Sequence, residues 1–137
     1  MVHGYPAIAL AISLVSSCEI EQIPEKRVEL CLKNSNKVYK HDNVEKLIEE
    51  LPKKYAQIST CFRLFQQNHD LLFENTRITI SSQLFKSSGL GSSASIAVAL
   101  VESINAFHDL NLTKSEVSDM AYEMEKVVHW TPSGIDN

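Results

Sequence analysis

Residues 85–95 read FKSSGLGSSAS, and the rest of the chain is organised around this stretch. The preceding residues 77–82, RITISS, alternate in the manner of a strand, and residues 92–108 have the periodicity of a helix. A glycine-rich turn that leads into a helix leaves backbone N–H groups without internal partners at the positive end of the helix dipole. Such a turn binds phosphate or another anion without a basic side chain. The residues alone predict either an anion site or an ordinary serine-capped turn, and they favour neither.

This loop differs from the two common nucleotide-binding loops. No Lys-Ser or Lys-Thr pair follows its last glycine, as a Walker A loop requires, and its glycines lack the G-x-G-x-x-G spacing. Gly89 and Gly91 allow positive φ and close approach of the backbone to a bulky ligand. Ser92 and Ser93 either cap the helix or offer hydroxyls to a phosphate-bound Mg²⁺.

The composition restricts the class of protein. The chain has 137 residues, enough for one modest domain, of which 44% are hydrophobic and 22% charged. A net charge of -4 without a basic run gives no reason to expect a nucleic acid or a membrane surface as partner. The apolar residues 7–15 are too few to span a bilayer, and we recognise no signal peptide. We therefore expect a cytoplasmic protein.

The three cysteines, Cys18, Cys31 and Cys61, are widely spaced and form no Cys-x-x-Cys pair. Neither a zinc site nor a disulfide framework is indicated, so we expect buried thiols in a reducing compartment. The chain opens with a turn and ends directly after Asp136 and Asn137. We expect it to be cut at both ends.

Hydrophobic periodicity predicts strands, two helices, a strand and then two helices. The predicted strands cover residues 6–23, 27–32, 37–40 and 77–84, the second and third forming a hairpin. The predicted helices cover residues 44–51, 55–73 and 92–108, and a fourth begins at a capping box formed by Thr113 and Glu116. Asp42 or Asn43 caps the first helix, and residues 7–15 taken alone also fit a buried helix. This order favours an α+β fold with helices on one face of the sheet.

Each of the longer helices has an apolar face that is expected to pack in the core. The predicted faces consist of Ile58, Phe62, Phe65, His69 and Leu72; of Ile96, Leu100, Ser103, Ile104 and Phe107; and of Val117, Met120, Ala121, Met124, Val127 and Val128. Glu125 lies on the flank of the last helix. By position alone, Glu125 is expected to be a solvated carboxylate.

Three segments together resemble the GHMP kinases, and among them most closely the mevalonate kinases. Residues 89–94, GLGSSA, are similar to the phosphate loop of that family. Residues 125–137, EKVVHWTPSGIDN, are similar to the stretch that runs from a metal-binding Glu to the catalytic Asp. Residues 2–12, VHGYPAIALAI, are similar to the end of the N-terminal motif and the strand that follows it. The joint presence of these motifs in this order and spacing makes the resemblance specific.

The resemblance implies a set of site residues. The ATP phosphates would be held by Gly89, Leu90, Gly91, Ser92, Ser93 and Ala94. Mg²⁺ would be held by Ser93 and Glu125, and Asp136 would accept the proton of the attacking alcohol or orient it. The implied reaction is phosphorylation of mevalonate to 5-phosphomevalonate in isoprenoid biosynthesis. A homodimer of the full-length protein is compatible with the resemblance.

The resemblance also implies the fold and its extent. It predicts the ribosomal-protein-like βαβ fold of a GHMP kinase N-terminal domain, with a mixed or antiparallel sheet. Residues 1–137 would form part of this ATP-binding domain, and the C-terminal domain that closes the site would be absent. Phe85, Ser87 and Trp130 depart from the Pro, Gly and Gly usual in the family. We expect little or no kinase activity from these residues alone.

Two alternatives stay open at this point. The first is another GHMP-type kinase, acting on galactose, phosphomevalonate or homoserine. The second is a non-catalytic remnant that binds nucleotide or pairs with a partner.

Overall fold

A computed structural model of the chain describes residues 10–84 and 91–128. The strands in these ranges are β1 (Ser16–Gln22), β2 (Val28–Leu32), β3 (Lys37–His41) and β4 (Thr76–Ser82). The α-helices are α1 (Val44–Glu50), α2 (Ala56–His69), α3 (Ser92–Phe107) and α4 (Lys114–Lys126). The predicted order of strands and helices is confirmed.

The four strands form one mixed sheet in the order β1-β4-β2-β3. β4 lies in the interior of the sheet, antiparallel to β1 and parallel to β2, while β2 and β3 form the predicted antiparallel hairpin. Ile78 of β4 lies opposite Ile20 of β1 and Leu30 of β2. Since side chains alternate between the faces of a strand, this register places the apolar residues of three strands on the same side.

The helices cover this apolar side of the sheet. α3 packs against β1, and the Ser103 hydroxyl donates a hydrogen bond of 2.6 Å to the Cys18 carbonyl oxygen. α2 and α4 pack against each other and against α3. Leu30, Ile78, Phe62 and the inner faces of α3 and α4 belong to one buried apolar cluster. The predicted α+β architecture, with helices on one face, is therefore confirmed.

A row of alternating charges, not predicted from the sequence, crosses the helix-free face of the sheet. Glu21, Arg77, Glu29 and Lys40 are cross-strand neighbours on β1, β4, β2 and β3. Arg77 donates from Nη1 to Glu21 Oε1 at 3.0 Å and from Nε to Glu29 Oε2 at 2.7 Å. Arg27 donates to the other Glu29 oxygen at 2.6 Å. Opposite charges on facing positions stabilise the sheet and fix its register.

The starts of two helices follow the predicted capping patterns. The Asn43 side chain accepts a hydrogen bond from the Lys46 backbone N–H at 2.9 Å, so Asn43 rather than Asp42 caps α1. At α4, Thr113 and Glu116 form the reciprocal capping box. Caps depend on residues three positions apart, which is why the sequence predicts them well.

The predicted element ends are less accurate. Of the strand predicted over residues 6–23, residues 6–9 lie outside the described ranges; the described part pairs with β4 from Ser16 to Gln22, and Gln83, just after β4, still donates its N–H to the Val15 carbonyl oxygen at 2.9 Å. Residues 10–15 form neither strand nor helix and are exposed. α2 ends at His69 instead of continuing to residue 73, because Asp70 adopts the left-handed conformation (φ 53°). Leu72 is consequently 64% exposed, and its predicted place in the core is wrong.

Two other predicted faces need correction. Val127 and Val128 follow the last residue of α4 and are exposed, so their predicted burial is wrong. In α3, Ala97 and Val101 are fully buried, whereas Phe107 at the helix end is partly exposed.

The three cysteines are free. The expected burial is confirmed for Cys61, while Cys18 and Cys31 are half-buried. Burial raises the pKa of the Cys18 thiol to about 11, so this thiol is protonated at neutral pH. Within residues 10–84 and 91–128, we find no helix with the length and apolarity needed to cross a membrane.

The Glu29 carboxylate provides a test of the charged row. Glu29 is 1% exposed, so Glu29→Gln leaves the two arginines without their buried anion. We expect a loss of about 1–3 kcal/mol in the free energy of unfolding, measured by urea titration. Glu21→Gln is the matched control, because Glu21 is well exposed and bonds the same Arg77. Equal stability of the Glu29 variant and the control variant would contradict this interpretation.

The Glu29 carboxylate should also make the free energy of unfolding depend on pH. The hydrogen bond from Arg77, reinforced by Arg27, holds the pKa of Glu29 below its ordinary value of 4.5. Its contribution to stability is therefore complete above that value and is lost as the pH falls through the lower pKa of the folded state. Urea titrations at a series of acidic pH values should show a shallower decline for Glu29→Gln than for the unmodified chain.

Candidate functional site

The start of α3 has the backbone geometry that the glycine-rich loop predicts. Gly91 precedes the first helical residue with φ 68° and ψ 26°, and its carbonyl oxygen accepts the Ser95 N–H at 2.9 Å. This left-handed conformation favours glycine. Ser92 and Ser93 are the first two residues of the helix, so the alternative in which they cap it is wrong. Ala94 follows and is buried.

The first turn of α3 offers backbone donors to a ligand. Gly91 has no side chain with which to cap the helix, and no acidic residue lies in the first turn. The starts of α1 and α4, in contrast, are capped by Asn43 and Thr113. The amide groups at the start of α3 thus have no side-chain cap, at the end of the helix dipole that attracts anions.

A hydroxyl at this helix start is buried without a partner. Among the described residues, Ser93 Oγ forms no hydrogen bond and is shielded from solvent. A buried polar atom without a partner costs about 1–3 kcal/mol, so native structures usually provide it with one. Ser93 Oγ is therefore available to a ligand at the N-terminus of α3.

Glu125 is buried near the same helix start. The residue is 7% exposed, so the expectation of a solvated carboxylate is wrong. Its Oε1 atom accepts a hydrogen bond of 3.3 Å from Nε2 of Gln57 on α2. No lysine, arginine or histidine in the described part of the chain forms an ion pair with Glu125. A buried carboxylate without a cation is costly, which makes it a candidate metal ligand.

Gln57 connects the two halves of the site. Its Nε2 atom lies 3.1 Å from the Ser93 carbonyl oxygen as well as 3.3 Å from Glu125 Oε1. One amide group therefore brings together the start of α3 and the carboxylate of α4. Gln57 could not be predicted from the sequence, since it lies beside the apolar face of α2 and belongs to no recognisable motif.

Several predicted site residues lie outside the described ranges. Gly89 and Leu90 of the loop belong to this group, as does the predicted catalytic residue Asp136. The same holds for Phe85, Ser87 and Trp130. Of the predicted site residues that are described, Ser93 and Glu125 are joined through Gln57.

The described residues fit a metal-bound phosphate ligand. Backbone N–H groups suit the phosphate oxygens, and a hydroxyl and a carboxylate are oxygen ligands of the kind that Mg²⁺ prefers. No group of three or more His, Cys, Asp and Glu side chains within residues 10–84 and 91–128 is arranged to hold a metal.

Comparison with known proteins gives the family. The family model described as the GHMP kinases N terminal domain matches residues 53–137. The chain belongs to the GHMP kinases. Over 140 residues, 99% of the chain, it is 30% identical to a mevalonate kinase of Methanocaldococcus jannaschii, and it covers 45% of that protein.

Solved structures agree in fold. The crystal structure of the Methanococcus jannaschii mevalonate kinase matches with a TM-score of 0.72 and 27% identity, over 89% of this chain and 39% of the other. The Lactococcus lactis galactokinase complexed with galactose has a TM-score of 0.73 at 18% identity, over 90% of this chain and 32% of the other. The second match shows the fold alone. The chain spans less than half the length of the Methanocaldococcus jannaschii relative and of these two structures.

Gly91 provides a test of the loop geometry. Gly91→Ala places a Cβ atom in the left-handed region, so we expect a loss of about 1–2 kcal/mol in the free energy of unfolding. Gly91→Asn is the matched control, because asparagine tolerates this conformation better, and it should be less destabilising. Urea titration of the three proteins measures both effects. An alanine variant as stable as the unmodified chain would mean that residue 91 does not need positive φ.

Proposed function

We propose that this chain is the ATP-binding part of a kinase that phosphorylates mevalonate to 5-phosphomevalonate. The membership in the GHMP kinases gives the reaction class, and the likeness to mevalonate kinases over nearly the whole chain supports the substrate. The observation that carries the proposal is the bridge from Gln57 to Ser93 and Glu125. This bridge supports a single site, because it links the helix start proposed to bind the phosphates with the carboxylate proposed to bind the metal.

In this proposal the nucleotide lies at the start of α3. The backbone N–H groups of residues 89–94 would donate to the phosphate oxygens, as the resemblance of GLGSSA to the phosphate loop implies. The helix dipole favours the same negative charge. Because phosphoryl transfer depends on positioning and charge stabilisation, backbone donors held by a rigid helix suit it well.

Ser93 and Glu125 are the proposed Mg²⁺ ligands. The Ser93 hydroxyl is a buried oxygen without a partner among the described residues, and Glu125 is a buried anion without a cation there. A bound Mg²⁺ would neutralise the charge on the nucleotide phosphates. The same ion would satisfy both side chains.

Asp136 is the proposed base, on the strength of the motif at residues 125–137. It would accept the proton of the substrate hydroxyl as the hydroxyl oxygen forms its bond to the terminal phosphorus of ATP. The bond from that phosphorus to the bridging oxygen breaks, and ADP leaves.

The choice of mevalonate over other alcohols depends on the relatives and on residues 132–137, PSGIDN. The galactokinase match, at 18% identity, supports the fold and does not favour galactose. In the proposal, residues 1–137 form part of the N-terminal domain, and a C-terminal domain completes the site. The chain alone should therefore phosphorylate little or no mevalonate.

The test uses the chain itself and a chimera. In the chimera, these 137 residues replace the matching part of the Methanocaldococcus jannaschii mevalonate kinase. We expect the chimera to phosphorylate mevalonate in preference to galactose, homoserine and phosphomevalonate. In it, Asp136→Asn should lower turnover by about 10²–10⁴-fold while nucleotide binding is retained, because a base acts only in the chemical step.

Glu125→Gln tests the metal ligand, with Glu123→Gln as its control. Glu123 lies on the same helix but is well exposed and pairs with Lys126. Isothermal calorimetry with ATP and increasing Mg²⁺ should show weaker metal-dependent binding for the Glu125 variant only. If Asp136→Asn keeps full turnover in the chimera, the assignment of Asp136 as the base fails; the kinase proposal itself fails if the chimera phosphorylates none of the four alcohols. Metal-dependent nucleotide binding in the absence of any turnover by the chimera would favour the binding remnant instead.

A further inference from the structure

We propose that Gln57 is a positioning residue, which holds the Glu125 carboxylate at a set distance and orientation from the start of α3. This inference rests on the proposed function, since it assigns Gln57 a role toward the Mg²⁺ site of the kinase. Its side chain would act on the metal through Glu125 and on the phosphate loop through the Ser93 carbonyl.

The hydrogen-bond geometry leaves Gln57 one orientation. Its two partners are the Ser93 carbonyl oxygen, which can only accept hydrogen bonds, and Oε1 of the Glu125 carboxylate, which accepts one here. The nitrogen of the side-chain amide must therefore face both of them, at 3.1 Å and 3.3 Å. An amide nitrogen carries two hydrogens, so both are used. The second carboxylate oxygen, Oε2, forms no hydrogen bond with the described residues and could bind a metal.

Gln57 is neutral, and this distinguishes its contact with Glu125 from an ordinary buried ion pair. Glu29, which is 1% exposed, is neutralised by Arg27 and Arg77. Glu125, almost as buried, receives its hydrogen bond from a neutral amide. A lysine or arginine at position 57 would compensate the negative charge and compete with a cation. A neutral donor orients the carboxylate and leaves its charge available to Mg²⁺.

The position of Gln57 is set by the core. It is 8% exposed and precedes Ile58 on α2, a helix whose Phe62 and Phe65 side chains are fully buried. The helix is thus fixed by packing rather than by the site. Since a buried glutamine loses its rotamer freedom on folding, its amide is already oriented before a ligand binds.

The test measures how much Mg²⁺ is needed for nucleotide binding. Gln57→Met keeps the length and burial of the side chain but removes both donors. We expect the Mg²⁺ concentration at half-saturation of ADP binding, measured by calorimetry, to rise about 10- to 100-fold, the usual effect of losing a group that orients a metal ligand. Gln57→Asn, which keeps the amide but withdraws it by one methylene, should raise the half-saturation concentration as well.

Gln66→Met is the matched control. Gln66 lies on the same helix, and its Nε2 atom donates to the Glu45 carboxylate at 2.6 Å, away from the site. Its substitution should leave the Mg²⁺ requirement unchanged. A second check combines Gln57→Met with Glu125→Gln. If Gln57 acts through Glu125, Gln57→Met should add little to the rise in Mg²⁺ requirement that Glu125→Gln causes by itself.

The outcomes separate the inference from the proposed function. If the unmodified protein shows no Mg²⁺-dependent ADP binding, the proposed function fails, and the inference fails with it. If the unmodified protein binds and a folded Gln57 variant has the same Mg²⁺ requirement, only the inference is overturned. Loss of cooperative unfolding in both Gln57 variants would assign the residue to the fold alone and would also overturn it.

Discussion

The candidate site depends on the hydrogen bond between the Gln57 amide and the buried Glu125 carboxylate. A carboxylate removed from water needs either a cation or good hydrogen bonds, and here one neutral donor serves it among the described residues. The same donor binds the Ser93 carbonyl oxygen, so α2, α3 and α4 meet at one group. This meeting point lies at the uncapped end of α3, where negative charge is stabilised. The Glu125 carboxylate therefore lies near a helix start that is suited to anions. A divalent cation bound there would reduce the repulsion between the carboxylate and a bound anion.

The two faces of the sheet explain why this site lies where it does. On the helix-free face, every buried or half-buried charge in the row from Glu21 to Lys40 has an opposite neighbour. On the helical face, the packed core supplies no counter-charge to Glu125. The first face stabilises the sheet by pairing charges, whereas on the second the Glu125 carboxylate has no ion pair within residues 10–84 and 91–128. Only the second arrangement leaves a carboxylate that a cationic ligand could neutralise.

The sequence predicts much of the fold, because much of it depends on neighbouring residues. The caps at Asn43 and Thr113, the hairpin and the glycine turn before α3 each involve residues a few positions apart. The errors arise where the conformation or burial of a residue depends on residues far away in the sequence. The length of β1 is set by its pairing with β4, and the burial of Glu125 depends on Gln57, which is 68 positions away in the sequence. The loop and Glu125 were found through motifs, whereas Gln57 had no signal of its own.

The strand order has a consequence for synthesis on the ribosome. Ser16 and Ser82 are hydrogen-bonded although 66 positions separate them, so among the described strands β1 has no partner until β4 has been made. Until then the hairpin of β2 and β3 is the part of the sheet that can form from local contacts. The apolar side of β1 stays uncovered for longer still, since α3 follows β4 in the chain. We therefore expect the nascent chain to be most prone to aggregation before α3 emerges.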